Sequence, residues 1–217
     1  MINKVVASWP LESGRVKVSK AKSAENRAAL LAAASDLLKE QGFDGAGVAE
    51  ISRRAGLTQG AFYSQFPSKA ALAAEACRAS VAGSQAFWRG VQDGAPADVS
   101  GYLDAYLSAD HLENVITGCP MAAYGSEVGR QDGALKAAFT EGFEDLVQVM
   151  QEALSLKMPA DLARQRALLL VSGMAGGLAM ARAVATSNPR LASEILQSTR
   201  EGLMQLASAE GTTTGGD

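Results

Sequence analysis

The sequence predicts an all-α protein of about nine helices. Alanine and leucine, which favour helices, are abundant in this chain of 217 residues, of which 47% are hydrophobic. Apolar residues recur at helical spacing, and we find no alternating strand pattern of useful length. These observations indicate a compact soluble protein that can bury one or two cores.

The first predicted helix covers about residues 24–41, with Ser23 as a cap and Gly42 at its end. Residues 1–22 carry several lysines and few periodic apolar residues, so we expect a flexible basic arm. The inner face of the helix consists of Leu30, Leu31, Ala34, Leu37 and Leu38.

Two short helices joined by a tight turn, and the start of a third, are predicted in the segment Val48–Leu72. Gly56 stands where a helix end favours positive φ, and Thr58 can cap the second helix. Phe62 and Phe66 give that helix an apolar stripe, which we expect in the core. This is the helix-turn-helix pattern, whose second helix enters the DNA major groove.

The same segment resembles the signature of TetR/AcrR-type transcriptional regulators. The agreement covers about residues 24–72 without a gap, although Gly47 stands where the family often has a capping Ser or Thr. The resemblance implies a three-helix DNA-binding domain (23–72) and a helical ligand-binding and dimerisation domain (73–208). The matching residues are Gly42, Phe43, Val48, Ile51, Ala55, Gly56, Leu57, Thr58, Gly60, Phe62, Tyr63, Phe66, Ser68, Lys69 and Leu72.

Helical patterns continue behind this segment. Ser68 can cap the fourth helix, Pro120 suits a first turn, and Asn188 with Pro189 can open the last helix. Residues 209–217 have nothing to bury and are expected to be a disordered tail. The further helices are expected at about 68–89, around 102–107, from 120, and at 133–156, 159–185 and 189–208.

Side chains near the start of the second helix of the motif are expected to meet base edges. Gln59 can bond adenine through its amide, Ala61 can touch a thymine methyl, and Gly60 allows close backbone approach. The full expected set is Thr58, Gln59, Gly60, Ala61, Tyr63 and Ser64.

Phosphate contacts are expected from neighbouring residues. The resemblance places the Tyr63 hydroxyl on a phosphate, with half-buried packing as the alternative. Lys69 combines a positive charge with a helix N-terminus, which favours phosphate. Lys20, Lys22 and Arg27 are expected to add backbone contacts.

A homodimer is expected because one such unit binds DNA weakly. Gly173, Gly177 and Ala181 form a small-residue stripe that permits close helix packing, and Leu196 and Leu203 supply an apolar face on the last helix. Burial of the glycine stripe inside the same subunit is the alternative.

The resemblance also implies a pocket for a small-molecule effector in the rear domain. Periodic aromatic and methionine residues are also typical of plain core, which is the alternative. The candidate lining residues are Trp88, Tyr102, Tyr106, Cys119, Met121, Tyr124, Phe139, Phe143 and Met174.

Cys119 precedes a predicted helix, where the dipole favours a thiolate, so it is a candidate sensor of electrophiles or oxidants. A buried inert cysteine is the alternative. Two cysteines indicate no disulfide framework, and a single histidine, His111, excludes zinc sites built on several histidines. We expect no metal or cofactor.

The chain is expected in the bacterial cytoplasm, associated with the nucleoid. No signal peptide is visible, and the longest apolar run, Ala167–Ala181, is too short to span a bilayer comfortably. Residues 1–80 carry a net charge of +4 and the remainder −7, which suits one DNA-facing part, although ordinary scatter also explains it.

Together these features predict a repressor that a small-molecule inducer releases from a palindromic operator in double-stranded DNA. Thiol sensing through Cys119 is an alternative within the same class. From other classes, an enzyme using Cys119 or Ser126 with His111 lacks a nucleophile elbow, and a helical interaction module would lack DNA binding.

Overall fold

The computed structural model describes residues 19–92, 99–131 and 133–209, with the backbone alone for residues 85–92. Within these ranges the regular elements are all α-helices, which confirms the all-α prediction. The ten helices of the described ranges are α1 (Lys20–Gly45), α2 (Val48–Arg54), α3 (Gln59–Gln65), α4 (Lys69–Gln92), α5 (Val99–Tyr106), α6 (Ala109–Glu113), α7 (Pro120–Val128), α8 (Gly133–Ser155), α9 (Ala160–Val184) and α10 (Pro189–Ser208).

Helices α1 to α4 form the front of the molecule around a small apolar centre. Leu30, Leu37, Ile51, Phe62 and Leu72, drawn from all four helices, are essentially without solvent contact. Burying each such side chain contributes roughly 1.5–3 kcal/mol. The same core continues rearward, because α1 packs on α7 and α4 packs on α8.

The first helix begins a turn earlier than the sequence suggests. Ser19, and not Ser23, is its cap: the Ser19 hydroxyl oxygen accepts the Lys22 N–H at 3.2 Å. The Ser23 hydroxyl instead accepts the side-chain amide of Gln65 at 3.0 Å. Ser23 therefore ties α1 to the end of α3.

A sharp break interrupts α1 at Gly42, where φ is 72°. Glycine adopts this left-handed conformation without steric penalty. A Cβ added at this position would also collide with the Glu127 carboxylate of α7. Gly42 thus redirects the chain toward α2, whose N-cap is Gly47, without a side-chain capping bond.

The rear of the molecule is built around α8 and α9. Helix α9 packs between α8 and α10, α4 covers the other side of α8, and α5 packs on α10. The last helix begins as predicted, with the Asn188 side-chain oxygen accepting the Leu191 N–H at 3.1 Å and Pro189 in the first turn.

One helix was missed by the sequence argument. α6 has five residues, and the Ser108 hydroxyl caps it by accepting the His111 N–H at 3.1 Å. A helix of this length is too short to show a hydrophobic period. Its capping serine was the available signal.

Helix α9 is long and apolar enough to cross a membrane by length and composition. The core helices of globular proteins share this property. In the structure one side of α9 is buried, including Leu170, Met174 and Leu178. Its packing against α8 and α10 explains this apolar side without a bilayer.

Candidate DNA-binding surface and cavity

The turn between α2 and α3 is built from local hydrogen bonds. Gly56 has φ 69°, and its N–H donates to the Arg53 carbonyl at 3.1 Å. The Leu57 N–H donates to the Ser52 carbonyl at 2.8 Å, so the end of α2 is capped by backbone groups. The Thr58 hydroxyl then accepts the Ala61 N–H at 3.2 Å and starts α3, as the sequence predicted.

Helix α3 presents one face to the core and the other to solvent. Phe62 and Phe66 are buried, which confirms their predicted core role. The Tyr63 side chain is 60% exposed, and Ala61 is half-buried. The other exposed members of the expected DNA-contacting set are Thr58, Gln59, Gly60 and Ser64.

Packing within the described part of the chain does not require a glycine at Gly60. A Cβ added to it would meet the Thr58 hydroxyl at 3.8 Å, an ordinary contact. Glycine within a helix costs roughly 1 kcal/mol relative to alanine. Gly60 is therefore exposed with open space beside it, which permits close approach of another molecule.

Arg27 is half-buried and makes several contacts within the front domain. Its guanidinium lies 4.2 Å from the centre of the Phe66 ring and donates to the Gln65 carbonyl at 3.0 Å. It also pairs with Glu75 of α4. These contacts hold Arg27 against α3 and α4, and its expected contact with the DNA backbone stays a prediction.

The three lysines of the expected set differ in their surroundings. Lys69 is half-buried, and its ammonium donates one hydrogen bond to the Phe43 carbonyl. Lys22 is exposed and pairs with Glu25 at 3.0 Å. Lys20 is exposed in the first turn of α1.

A cavity of about 520 Å³ lies between the front and rear helices. Helices α1 and α4 supply its long walls, and α5, α6 and the segment before α7 close one side. The lining residues are Leu31, Ala32, Ser35, Lys39, Ala79, Ser80, Gly83, Ser84, Ala105, Asp110, His111, Asn114, Thr117 and Cys119.

The predicted effector-lining residues lie elsewhere, with one exception. Of the described members of that set, Cys119 alone lines the cavity between α1 and α4. The space beside Tyr106, Met121 and Met174 measures about 10 Å³, too small for an organic ligand. The side chain of Trp88 lies outside the described residues.

The remaining members of that set are core residues. Tyr102 and Tyr124 are buried, and Phe139 and Phe143 are partly buried against the core. The described aromatic and methionine residues of the set thus belong to the core or pack against it. No hydrophobic period marked the actual cavity, because its walls are mostly small and polar side chains.

His111 organises the cavity wall near Cys119. Its Nε2 accepts the Cys119 N–H at 3.0 Å, and its Nδ1 lies 2.8 Å from the Tyr106 carbonyl oxygen, so Nδ1 carries the proton. The Arg182 guanidinium donates to the His111 carbonyl at 2.6 Å. A Cβ at Gly118 would lie 2.7 Å from Arg182 Nη2, so only glycine fits there.

Cys119 is the N-cap of α7, as predicted, and it lines the cavity. The side chain is buried, and desolvation raises the pKa of the thiol despite hydrogen bonds to its sulfur from Tyr106 and the Met121 and Ala122 backbone. A protonated thiol is a poor nucleophile. A raised thiol pKa favours the inert alternative, and sensing through Cys119 stays a hypothesis.

The glycine stripe expected at the dimer interface packs within the subunit. A Cβ at Gly173 would lie 2.9 Å from the Leu203 side chain, and one at Gly177 would lie 2.7 Å from Thr199. Ala181 and Leu196 are buried as well. The alternative of burial inside the same subunit describes these residues.

A different stripe of α9 faces outward. Leu169 and Met180 are 50% and 58% exposed, and a Cβ at Gly176 would meet nothing within 4 Å. With Ser172 and Ala183, which are also exposed, these residues recur at helical spacing. Helix periodicity was the available signal, but it could not say which face α10 covers.

Comparison with known proteins agrees with this architecture. Residues 30–76 match the model of bacterial regulatory proteins of the tetR family, and residues 99–194 match the LmrA/YxaF-like transcriptional regulator C-terminal domain. No curated protein matches the chain.

Several solved structures share the fold. A transcriptional regulator from Chloroflexus aurantiacus superimposes with a TM-score of 0.71 at 19% identity, covering 87% of this chain and 97% of its own. Reduced NemR from Escherichia coli gives 0.68 at 19% identity, with 82% and 95% covered. A Rhodococcus regulator gives 0.64 at 22% identity, with 85% and 99% covered. With both family models matched in order, the chain belongs to the TetR family of bacterial transcriptional regulators.

Proposed function

We propose that this regulator is a cytoplasmic homodimeric repressor that occupies a palindromic operator and leaves it when a small-molecule effector binds. The observation that carries the proposal is the outward face of α3. Its hydrogen-bonding side chains Gln59, Tyr63 and Ser64 are exposed, while Phe62 and Phe66 anchor the opposite face. Such a helix can enter a major groove and present its side chains to base edges.

The dimer brings two copies of α3 to successive major grooves, about 34–36 Å apart. The outward stripe of α9, with Leu169, Gly176 and Met180, supports this arrangement, because it is apolar and permits close helix approach. An effector that favours a different spacing of the two α3 helices would shift the population away from the DNA-bound form.

The DNA-binding and effector domains are proposed to meet near residue 72. This boundary lies in the first turn of α4, so one continuous helix joins the two domains. The expected basic arm (1–22) and tail (209–217) lie mostly outside the described residues, and the part from Lys20 onward belongs to α1.

The test is fluorescence anisotropy with duplex DNA from upstream of the protein's own gene, at two salt concentrations. Gln59→Ala should weaken specific binding by roughly 1–3 kcal/mol, the worth of a bidentate base contact, and Tyr63→Ala should weaken binding through the loss of a phosphate contact. The matched control is Gln197→Ala, an exposed glutamine on α10. A wild type whose binding is specific and weakens with salt supports the proposal.

Gly60→Ala sharpens this test, because it separates folding from binding. The added methyl group fits the chain and favours the helix, so thermal stability should rise slightly. Operator affinity should fall, since the methyl group lies on the DNA-facing surface. Absence of a specific site, even after selection from random duplexes, would overturn the proposed function.

A further inference from the structure

The cavity between α1 and α4 has the size and the shape of a small-molecule site. Its volume of about 520 Å³ lies within the range typical of ligand pockets. Leu31 and Lys39 both line it and stand eight residues apart on α1, which is about 12 Å along a helix axis. The site is therefore long enough for a molecule with distinct apolar and polar ends.

Helices α1 and α4, which form the long walls of the cavity, are joined by a side-chain hydrogen bond. The Ser35 and Ser80 hydroxyl oxygens lie 2.7 Å apart and link α1 to α4. Apolar surface from Leu31, Ala32 and Ala79 lines the same walls. A ligand held there would lie against both the helix that leads into the DNA-binding motif and the helix that leaves it.

Two cations lie near the Cys119 side of this cavity. Lys39 lines it, and its ammonium donates to the Ile116 carbonyl at 2.8 Å. Arg182 lies directly behind Gly118, and its Nη1 atom is buried without a hydrogen-bond partner in the described part of the chain. Among the described residues, neither cation has a carboxylate within 4.0 Å.

The surrounding charges leave Lys39 incompletely compensated. Burial lowers the pKa of Lys39, the charge of Asp36 opposes that effect, and Arg182 adds to it. Asp110 also lines the cavity, but it is exposed and accepts a hydrogen bond from Asn114 at 2.9 Å. Water screens an exposed carboxylate more than a half-buried ammonium.

We infer that this cavity binds an amphipathic organic monoanion, with its apolar body between α1 and α4 and its carboxylate or sulfonate at Lys39. The inference rests on the proposed function, because the bound molecule is the effector that the repressor requires. Binding would compete with the bridge between Ser35 and Ser80 and separate the two helices, which alters the orientation of α3.

Two fluorescent probes test the site without DNA. One is the anion 8-anilinonaphthalene-1-sulfonate, and the other is its uncharged analogue N-phenyl-1-naphthylamine. Both are titrated into wild type, Lys39→Met, Lys39→Arg and Gly83→Leu. Lys136→Met is the matched control, because this lysine is exposed on α8.

Lys39→Met should weaken the anionic probe by roughly tenfold, the worth of a hydrogen bond to a charged group, and leave the neutral probe unchanged. Lys39→Arg should retain the affinity for both probes. Gly83→Leu should weaken both probes, because a Cβ at this cavity-lining glycine meets nothing within 4 Å and the leucine fills the space. Gly83→Leu also favours the helix, so it should fold.

Equal anion binding by wild type and Lys39→Met would overturn the assignment of the charge, and unchanged binding to Gly83→Leu would overturn the site. Absence of anionic probe binding to wild type would also overturn it. The probe titrations involve no operator, so they distinguish this inference from the proposed function. A protein that binds the probes as expected but binds no specific DNA would contradict only the latter.

Discussion

The Glu127 carboxylate accepts the backbone N–H of Phe43 at 2.8 Å, across 84 positions of sequence. This bond joins α7 to the segment between the break in α1 and the start of α2. The Phe43 carbonyl accepts from Lys69 of α4, and its ring packs edge-on against Tyr124 with centroids 4.9 Å apart. Phe43 is thus held between α7 and α4, where the chain leads into the DNA-binding motif.

Removing this link should loosen the junction. Glu127→Ala leaves the Phe43 N–H without its charged acceptor and should lower the free energy of unfolding by about 1–3 kcal/mol. Gly42→Ala should destabilise too, through its positive φ and its collision with the same carboxylate. Urea denaturation measures both.

Because the two substitutions share one contact, their double mutant should be less destabilised than the sum of the single mutants. The exposed Glu144→Ala on α8 is the control and should leave stability unchanged. Strict additivity would show that Gly42 and Glu127 act independently.

Arg27 should matter for folding more than for DNA. Arg27→Ala removes the stacking on Phe66 and both hydrogen bonds, and should cost about 1–2 kcal/mol of stability. Arg27→Lys should recover only part of the lost stability, because an ammonium cannot make the same planar contacts. Thermal unfolding provides the measurement. A fully stable Arg27→Ala with reduced operator affinity would instead assign this residue to phosphate contact.

His111 should make stability depend on pH. Burial lowers the pKa of His111 below its ordinary value of 6.5 in the folded state. The unfolded chain therefore binds a proton first as the pH falls, so stability is full above about pH 6.5 and declines toward the folded-state pKa. Protonation at Nε2 would also break the bond from the Cys119 N–H.

His111 is the chain's only histidine, which makes the comparison simple. The unfolding temperature of wild type should fall between pH 7.5 and pH 5.5 more steeply than that of His111→Gln. Parallel curves for the two proteins would exclude His111 as the source.

The outward stripe of α9 should control oligomeric state. Leu169→Asp combined with Met180→Asp places two charges on the proposed interface and should yield monomers in light scattering, with weaker operator binding. Leu156→Asp is the control, because this leucine is 69% exposed on the chain just after α8, away from the stripe. A mass unchanged from wild type in the double variant would exclude this face.

The helix-turn-helix was predictable because its determinants are local. Gly56 and Thr58 specify the turn and the cap by their own backbone and hydroxyl chemistry, so the sequence sufficed. The packing partner of the glycine stripe on α9 was not predictable. Periodicity groups Gly173 with Gly177, but it does not show whether α10 or another subunit covers them. That information lies in tertiary packing.

The cavity was missed for a related physical reason. An empty space forms where neighbouring side chains are too small to fill it, and Ala79, Ser80 and Gly83 carry no distinctive pattern on α4. The large aromatic residues that resembled a ligand box instead complete the core. Whether small side chains leave a cavity depends on where two helices cross, and the sequence does not display that position.

The continuous α4 has a consequence for recombination between relatives. A chimera that takes its DNA-binding domain from a relative and is joined at residue 72 would have its junction within the first turn of a 24-residue helix. It would also combine the relative's counterpart of Phe43 with Glu127 of this chain. The two domains therefore cannot be exchanged independently of each other. Exchange of specificity should succeed when the α3 surface alone is grafted, and a whole-half exchange should require the matching α7 as well.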